Sequence, residues 1–472
     1  MLTRDQASAI FDKLRKYSSA DEVELLVSGG CSALTRFANN TIHQNVSEES
    51  HALSLRVSID PSSAKGGRTA RASTNKIDDE NLRRLAQTAD TLVRMQQPDP
   101  ELLPMPTPQE VAEAQVNGSG LVLRYIERTT RINPRDRAEA VARIVDVAKK
   151  NKLTSAGIYA SSEFGEALFN SRGVSRWHEQ TSAELSVTML GETSSGWQKA
   201  NAPDAADLEP REMAEVAAEK ARRSANPREL EPGKYTVILE PSAVLDIVGF
   251  MFWDFSGSAL LEQRSFLTHR LGCKLFGDNI TVNDDVYHSL QTGAAFDGEG
   301  MTRQRLTLID KGVVKELAYS RSAAKKMRQS ELMSNVGSIG ATGHGFRLPN
   351  EMGEAPLNIV FGAAPASESQ AVDQMIASTD RGVLVTRLWY IREIDPYDKI
   401  LTGMTRDGTF LVTDGKVQYG IRNLRFNESL LHMLRNVEAL GQPARACGEE
   451  SIDMVVPPMK VREFNFSEAT KF

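Results

Sequence analysis

The sequence predicts a multi-domain α+β protein, with N-terminal α+β layers on antiparallel sheets followed by a β-rich C-terminal domain. Three observations carry that prediction. At 472 residues the chain exceeds what one hydrophobic core organises, and about 150 residues per domain implies two or three. Two successive segments read helix, sheet, helix, the order of a layered α+β unit. From Lys234 onward, short apolar runs alternate with Asp and Gly turn signals, the pattern of a sheet-rich domain.

Taken in order, Ala7, Ile10, Phe11, Leu14 and Tyr17 recur every three or four residues, so Thr3–Ser18 is expected as an amphipathic helix capped by Thr3. Strands are expected at Asp21–Ser28, Ser32–Phe37, Thr41–Val46 and His51–Ile59, with breaks at Gly29–Gly30 and Asn39–Asn40. A helix over Asp78–Met95 closes this unit. Gln97–Gln109 holds five prolines and reads as an extended connector, placing the first boundary near residue 108. The second unit, 109–230, has helices at Pro134–Lys150 and Leu208–Ser224. Between them, strands are expected at Ser155–Ala160, Ala167–Asn170, Ala183–Leu190 and Gly196–Asn201.

The third unit, 231–472, opens on the stretch that organises the functional reading. Tyr235–Leu239 has strong strand preference, and Pro241 suits the first turn of a helix. From Ala243 to Phe255, apolar residues cover most of a helical circumference, which predicts a helix buried on several sides. Such a helix either seats metal ligands or is core without chemistry; Asp246 is the ionisable group on its inner stretch. Hairpins are expected around Asp310–Lys311–Gly312 and Asp414–Gly415, where glycine accepts the positive φ of a tight turn. Further strands are expected at Leu357–Phe361, Val383–Ile391 and Asp453–Val456, and a helix at Asn427–Leu440.

Composition excludes some functions. A formal charge of −6 and pI near 5.8 give no global attraction to nucleic acid. No run reaches the about 18 apolar residues of a membrane span, and the N-terminus lacks a signal-peptide core. Three scattered cysteines, Cys31, Cys273 and Cys447, fit a reducing compartment, so a cytoplasmic location is expected.

The seven histidines are dispersed, so the paired histidines of a helical zinc site are absent. Asp284–Asp285 and Phe296–Asp297–Gly298–Glu299–Gly300 form the densest acidic patch. It reads as a surface turn before a hairpin, with cation binding as the alternative. Gly337, Gly340, Gly343 and Gly345 surround His344 but lack the ending of a phosphate loop, which leaves a flexible loop, near a functional cleft or not. Cys447 is read as a buried filler, with zinc ligand and nucleophile as alternatives.

Together these stretches resemble the TldD/PmbA family. Thr35–Asn45 resembles its N-terminal signature; so, in order, do Phe296–Gly300 with the Lys311–Gly312 hairpin, Thr342–Gly345, and Leu411–Lys416. The resemblance implies one branch of metallopeptidases with H-E-x-x-x-H on the helix after a strand like Tyr235–Leu239, and a C-terminal cysteine as a further ligand. It implies a second, PmbA or TldE-like branch that lacks the motif and partners the first in a peptide-degrading or peptide-trimming heterodimer. Set against the metal branch, Pro241 falls on a matching proline, Asp246 and Met251 fall where the two histidines would be, and Ile247 falls on the glutamate. Cys447 stands where the cysteine ligand would stand. Isoleucine holds neither metal nor proton, and methionine is too soft a donor for zinc.

The expectation is therefore a non-catalytic subunit with no catalytic residue, metal or cofactor of its own. Its partner would be an H-E-x-x-x-H chain carrying zinc, with a homodimer possible in its absence and extended peptide, paired to exposed strand edges, as substrate. The alternatives are a metallopeptidase using Asp246, Cys447 and a histidine such as His344, or a regulatory protein linked by family naming to DNA gyrase or an antitoxin.

Overall fold

The structure, a computed structural model, describes residues 2–112, 123–330, 339–365 and 367–470. Two segments of the expected chain share one sheet. Its strands are β1 (Glu22–Ala38), β2 (Thr41–Ile59), β3 (Arg68–Thr74), β4 (Thr154–Asn170), β5 (Ser175–Leu190) and β6 (Ser195–Ala202). They lie in the order β3-β2-β1-β4-β5-β6, antiparallel throughout. Helices Arg4–Tyr17 and Asp79–Met95 cover one end, where Leu25, Leu53 and Leu85 are buried. Helices Pro134–Lys150 and Pro210–Arg223 cover the other, packing Ile144 and Ala217 over Leu185 and Val187.

These helices follow the local signals. Thr3 accepts from the Gln6 N–H in a reciprocal capping box, Asp78 caps the second helix, and Asn133 before Pro134 caps the third. The strands are longer than expected. Gly29–Gly30 lies inside β1 rather than in a turn, because a Cβ on Gly30 would stand 1.9 Å from the Glu163 carbonyl oxygen. Glycine here permits close approach of neighbouring backbone. Likewise 41–59 and 154–170 are single strands, not pairs.

The third unit contains β7 (Gly233–Leu239), β8 (Val282–Asp284), β9 (Leu306–Asp310), β10 (Val313–Val314), β11 (Ile359–Phe361), β12 (Arg381–Asp395) and β13 (Ile400–Thr413). It continues with β14 (Lys416–Gly420), β15 (Leu424–Ser429), β16 (Val437–Leu440), β17 (Ala444–Ala446), β18 (Met454–Val456) and β19 (Met459–Ala469). One sheet runs β10-β9-β8-β11-β18-β17. In the other, β12-β7-β19-β15-β13 closes on itself, because β12 also pairs with β13. Closure removes edges from this sheet, and the open sheet ends on the short strands β10 and β17, so the exposed strand edges expected here are few and short. One core joins both sheets, with Val237, Ile247, Phe255, Leu308, Phe361 and Val456 among its members.

Two expected helices are shorter. The run to Phe255 is helical only over Pro241–Val248, then turns at Gly249 and continues as a 3-10 turn at Phe252–Asp254. Burial on all sides hides the break from periodicity. Asn427–Leu440 divides into the end of β15, a helix at Leu430–Arg435, and β16, which pairs with β19. The helical spacing of Leu430 and Leu434 ends where strand pairing takes Val437.

The polar face of β1 is buried at its first residues. Glu24 is fully buried; its oxygens accept from Arg56 Nη2 at 2.7 Å and Arg71 Nη2 at 2.8 Å. Arg71 Nε reaches the Leu348 carbonyl, tying the first sheet to the third unit. Removing one member of a buried ion group leaves the other charge uncompensated, which costs about 3–5 kcal/mol. Glu24→Ala is expected to lower the unfolding free energy by that order in denaturant titration, with Arg56→Met added in the same chain recovering part of it.

Candidate functional site

The helix Pro241–Val248 starts where β7 ends. Its N-terminal Glu240 pairs with Lys220 at 2.8 Å, and Pro241 occupies the first turn. It stops because the chain near the C-terminus packs on its end: a Cβ on Gly249 would stand 1.9 Å from Ser451 Oγ. Residues Ala243 to Val248 are all buried.

Of the positions singled out in sequence, Ile247 and Met251 are fully buried in the main core. Asp246 is 1% exposed; its Oδ2 accepts from the Leu388 N–H at 3.1 Å, and its Oδ1 has no partner. Burial pushes its carboxyl up to about 7. A Cβ on Gly448 would lie 2.7 Å from that Oδ1, so the Cys447–Gly448 turn packs against the helix. Cys447 is buried, and burial together with Asp453 pushes its thiol up to about 12. His344 is elsewhere. Its Nε2 bonds Asp284 at 3.0 Å and its Nδ1 bonds Thr342 at 2.9 Å, so both ring nitrogens are engaged.

The acidic patch is not a surface turn: Asp284, Asp285, Asp297 and Glu299 are all buried. Asp297 accepts from the N–H groups of Glu299, Met301 and Gly345, which offset part of the cost of burying its charge. Burial raises Glu299 to about 7, helped by the Asp297 charge. The glycine loop is likewise packed rather than open at Thr342–Gly345, where a Cβ on Gly343 would stand 2.2 Å from Thr302 O. Gly337 lies outside the described residues.

The donors do not fit a zinc centre. Ile247 offers none, Met251 is locked in apolar core, the His344 nitrogens are spent, and Cys447 is buried away from His344's partners. Among the described residues, no group of three or more His, Cys, Asp and Glu is placed to hold a metal ion.

Across β12 from this helix, the first sheet and the β12–β13 pair line a cleft of about 820 Å³. Leu388 faces the core, so its neighbours Arg387 and Trp389 face the cleft. The Arg387 guanidinium lies 4.1 Å from the Trp197 ring and 5.0 Å from the Trp389 ring. It reaches Asp407 at 3.2 Å and Glu449 at 3.4 Å. From β6, Lys199 Nζ donates to the Gly448 carbonyl at 3.3 Å. The turn 447–452 is thus moored to Asp246, the first sheet and β12. It also divides the cleft from a second cavity of about 640 Å³, and Glu449 borders both.

The sequence reading missed Trp197, Lys199, Arg387, Trp389 and Glu449. One signal was present: Arg387 and Trp389 interrupt the apolar run of β12 at a spacing of two, which places both on one face.

The architecture and the helix–turn site define a metallopeptidase-like three-part fold, and the chain belongs to the PmbA/TldD family. It matches the family's metallopeptidase domain 1 over residues 23–92, its central domain over 129–225 and its C-terminal domain over 232–468. It is 31% identical to an uncharacterized protein of Methanocaldococcus jannaschii over 187 residues, 38% of this chain and 44% of that protein. It is 21% identical to a metalloprotease of Methanothermobacter thermautotrophicus, over 64% of this chain and 67% of that one. The chain thus spans less than half of the first relative's length. TldE from Thermococcus kodakarensis superposes with a TM-score of 0.82 at 18% identity, covering 98% of this chain and 99% of that one. A protein of Thermotoga maritima named as a modulator of a DNA gyrase superposes with a TM-score of 0.80 at 16% identity, covering 98% and 100%. At such identity these two show the fold alone.

The buried carboxyl of Asp246 makes stability depend on pH. Unfolded, an aspartate loses its proton near pH ~4; folded, Asp246 keeps it to about 7. Between those values the native state binds more protons, so stability falls as pH rises across that window. Asp246→Asn is expected to remove its share of the decline, measured as a smaller loss of melting temperature between pH 5 and pH 8 by circular dichroism.

Proposed function

We propose that this chain is the non-catalytic subunit of a TldD/TldE-type peptidase, shaping the chamber and admitting extended peptide to zinc held by an H-E-x-x-x-H partner. The observation that carries the reading is the burial of Ile247 and Met251 in the core at the positions where the metal branch would place its glutamate and second histidine. A hydrolytic zinc needs imidazoles to hold the ion and a carboxylate to take a proton from bound water; neither stands here. The cleft across β12 from the helix is the surface that a peptide would cross. The likeness to TldE in fold supports partnership with a TldD-like chain, and a homodimer is the form proposed in its absence. The location proposed is cytoplasmic, in keeping with three free cysteines; among the described residues no helix is long and apolar enough to cross a membrane.

One observation favours a second reading, a metallopeptidase with unusual ligands: Asp246 Oδ1 is unpaired and lies against the Cys447–Gly448 turn. A gyrase-linked regulatory role draws only on the naming of a structural relative.

The purified chain is expected to hold no stoichiometric zinc by mass spectrometry of metals. It is expected to cleave unstructured peptide only when mixed with an H-E-x-x-x-H homologue, with which it co-elutes. Chelator-sensitive hydrolysis by the isolated chain, lost in Cys447→Ser, would replace this proposal with the second reading.

A further inference from the structure

We infer that the cleft between the first sheet and the β12–β13 pair is a carboxylate-recognition site, so that the peptides it admits are those carrying an acidic group. The inference rests on the peptide-admitting reading for the kind of ligand, and on separate observations for its charge.

The first is an unpaired donor. Arg387 is 3% exposed and borders the cleft, and its Nε is buried without a hydrogen-bond partner. A buried unpaired donor on a charged group carries a desolvation cost that an incoming acceptor relieves. Both ring contacts and both ion pairs hold this guanidinium in place, so little ordering entropy is lost when a ligand meets it.

The second is the charge balance. The acids of the cleft are already engaged: Glu184 by Lys199 at 3.4 Å, Glu449 by Arg387, and Asp407 by Arg387 and by Arg406 at 3.5 Å. Arg36, exposed on β1 at the cleft wall, has no ion pair among the described residues. The cleft therefore presents surplus positive charge in a chain whose formal charge is −6. A concave site of sign opposite to its protein focuses an oppositely charged ligand. The third is that guanidinium groups already stand against the rings of Trp197 and Trp389. An acceptor on their edges therefore fits better than another cation.

The full chain is titrated with three acetylated pentapeptides, followed by tryptophan fluorescence and calorimetry. One alternates valine and glutamate with an amidated end; one replaces glutamate by glutamine; the third is the glutamine peptide with a free C-terminal carboxylate. Binding at least tenfold tighter for the glutamate peptide than for the neutral one, weakening with salt, is expected; preference for the third instead assigns the chain terminus as the source of the carboxylate. Arg387→Gln is expected to lose at least tenfold in affinity. Because that variant alters buried contacts, Arg36→Gln, at an exposed position, is measured beside it and is expected to lose severalfold with an unchanged melting curve. Equal affinity for charged and neutral peptides, no binding of any, or an Arg36→Gln chain binding as well as the parent would overturn the inference. Equal tight binding of all three overturns it while leaving the peptide-admitting role standing; zinc-dependent hydrolysis by the isolated chain removes that role and leaves the binding result intact.

Discussion

One hydrogen bond organises the centre of this protein: the Leu388 N–H donating to a carboxyl that has no counter-charge in contact with it. Asp246 sits on a helix with apolar neighbours on every side, and the bond fixes that helix against β12. Strand alternation then does the rest. Leu388 enters the core, and Arg387 and Trp389 are delivered to the cleft on the other side. A register shift between Val385 and Arg387 in the β12–β13 pairing marks the place where the strand re-aims its side chains. The position that the resemblance assigns to a metal ligand thus serves as a structural pin.

The same arrangement accounts for the turn at Cys447–Gly448. It is held by Lys199 from the first sheet, by Arg387 through Glu449, and by Glu450, which accepts from the N–H groups of Tyr390 and Ile391. Cys447 is enclosed by this mooring, and burial pushes its thiol up.

Much of the fold was legible. Apolar spacing placed the Pro134–Lys150 helix to the residue, and the turn signals at Asp310–Gly312 and Asp414–Gly415 located two hairpins. What failed did so for physical reasons. Gly29–Gly30 carries the composition of a turn, but the backbone of β2 and β4 closes over it. Asp284, Asp297 and Glu299 look like surface acids because their partners, His344, Gly345 and the Arg321 N–H, come from remote chain. Burial on every side erased the period that would have ended the helix at Gly249. The Trp197–Arg387–Trp389 stack was not legible, since it assembles from two units.

The pairing of β1 with β4 has a consequence for how the chain comes into being. Val23 donates to Ser171 Oγ across 148 positions of sequence, and β1 lies between β2 and β4. A nascent polypeptide leaving the ribosome therefore exposes one side of β1 until the whole of β4 has emerged. Long-range pairing of this kind is slow and leaves an unpaired strand open to wrong neighbours. The N-terminal third cannot mature ahead of the middle third; translation must deliver both before either is safe from aggregation.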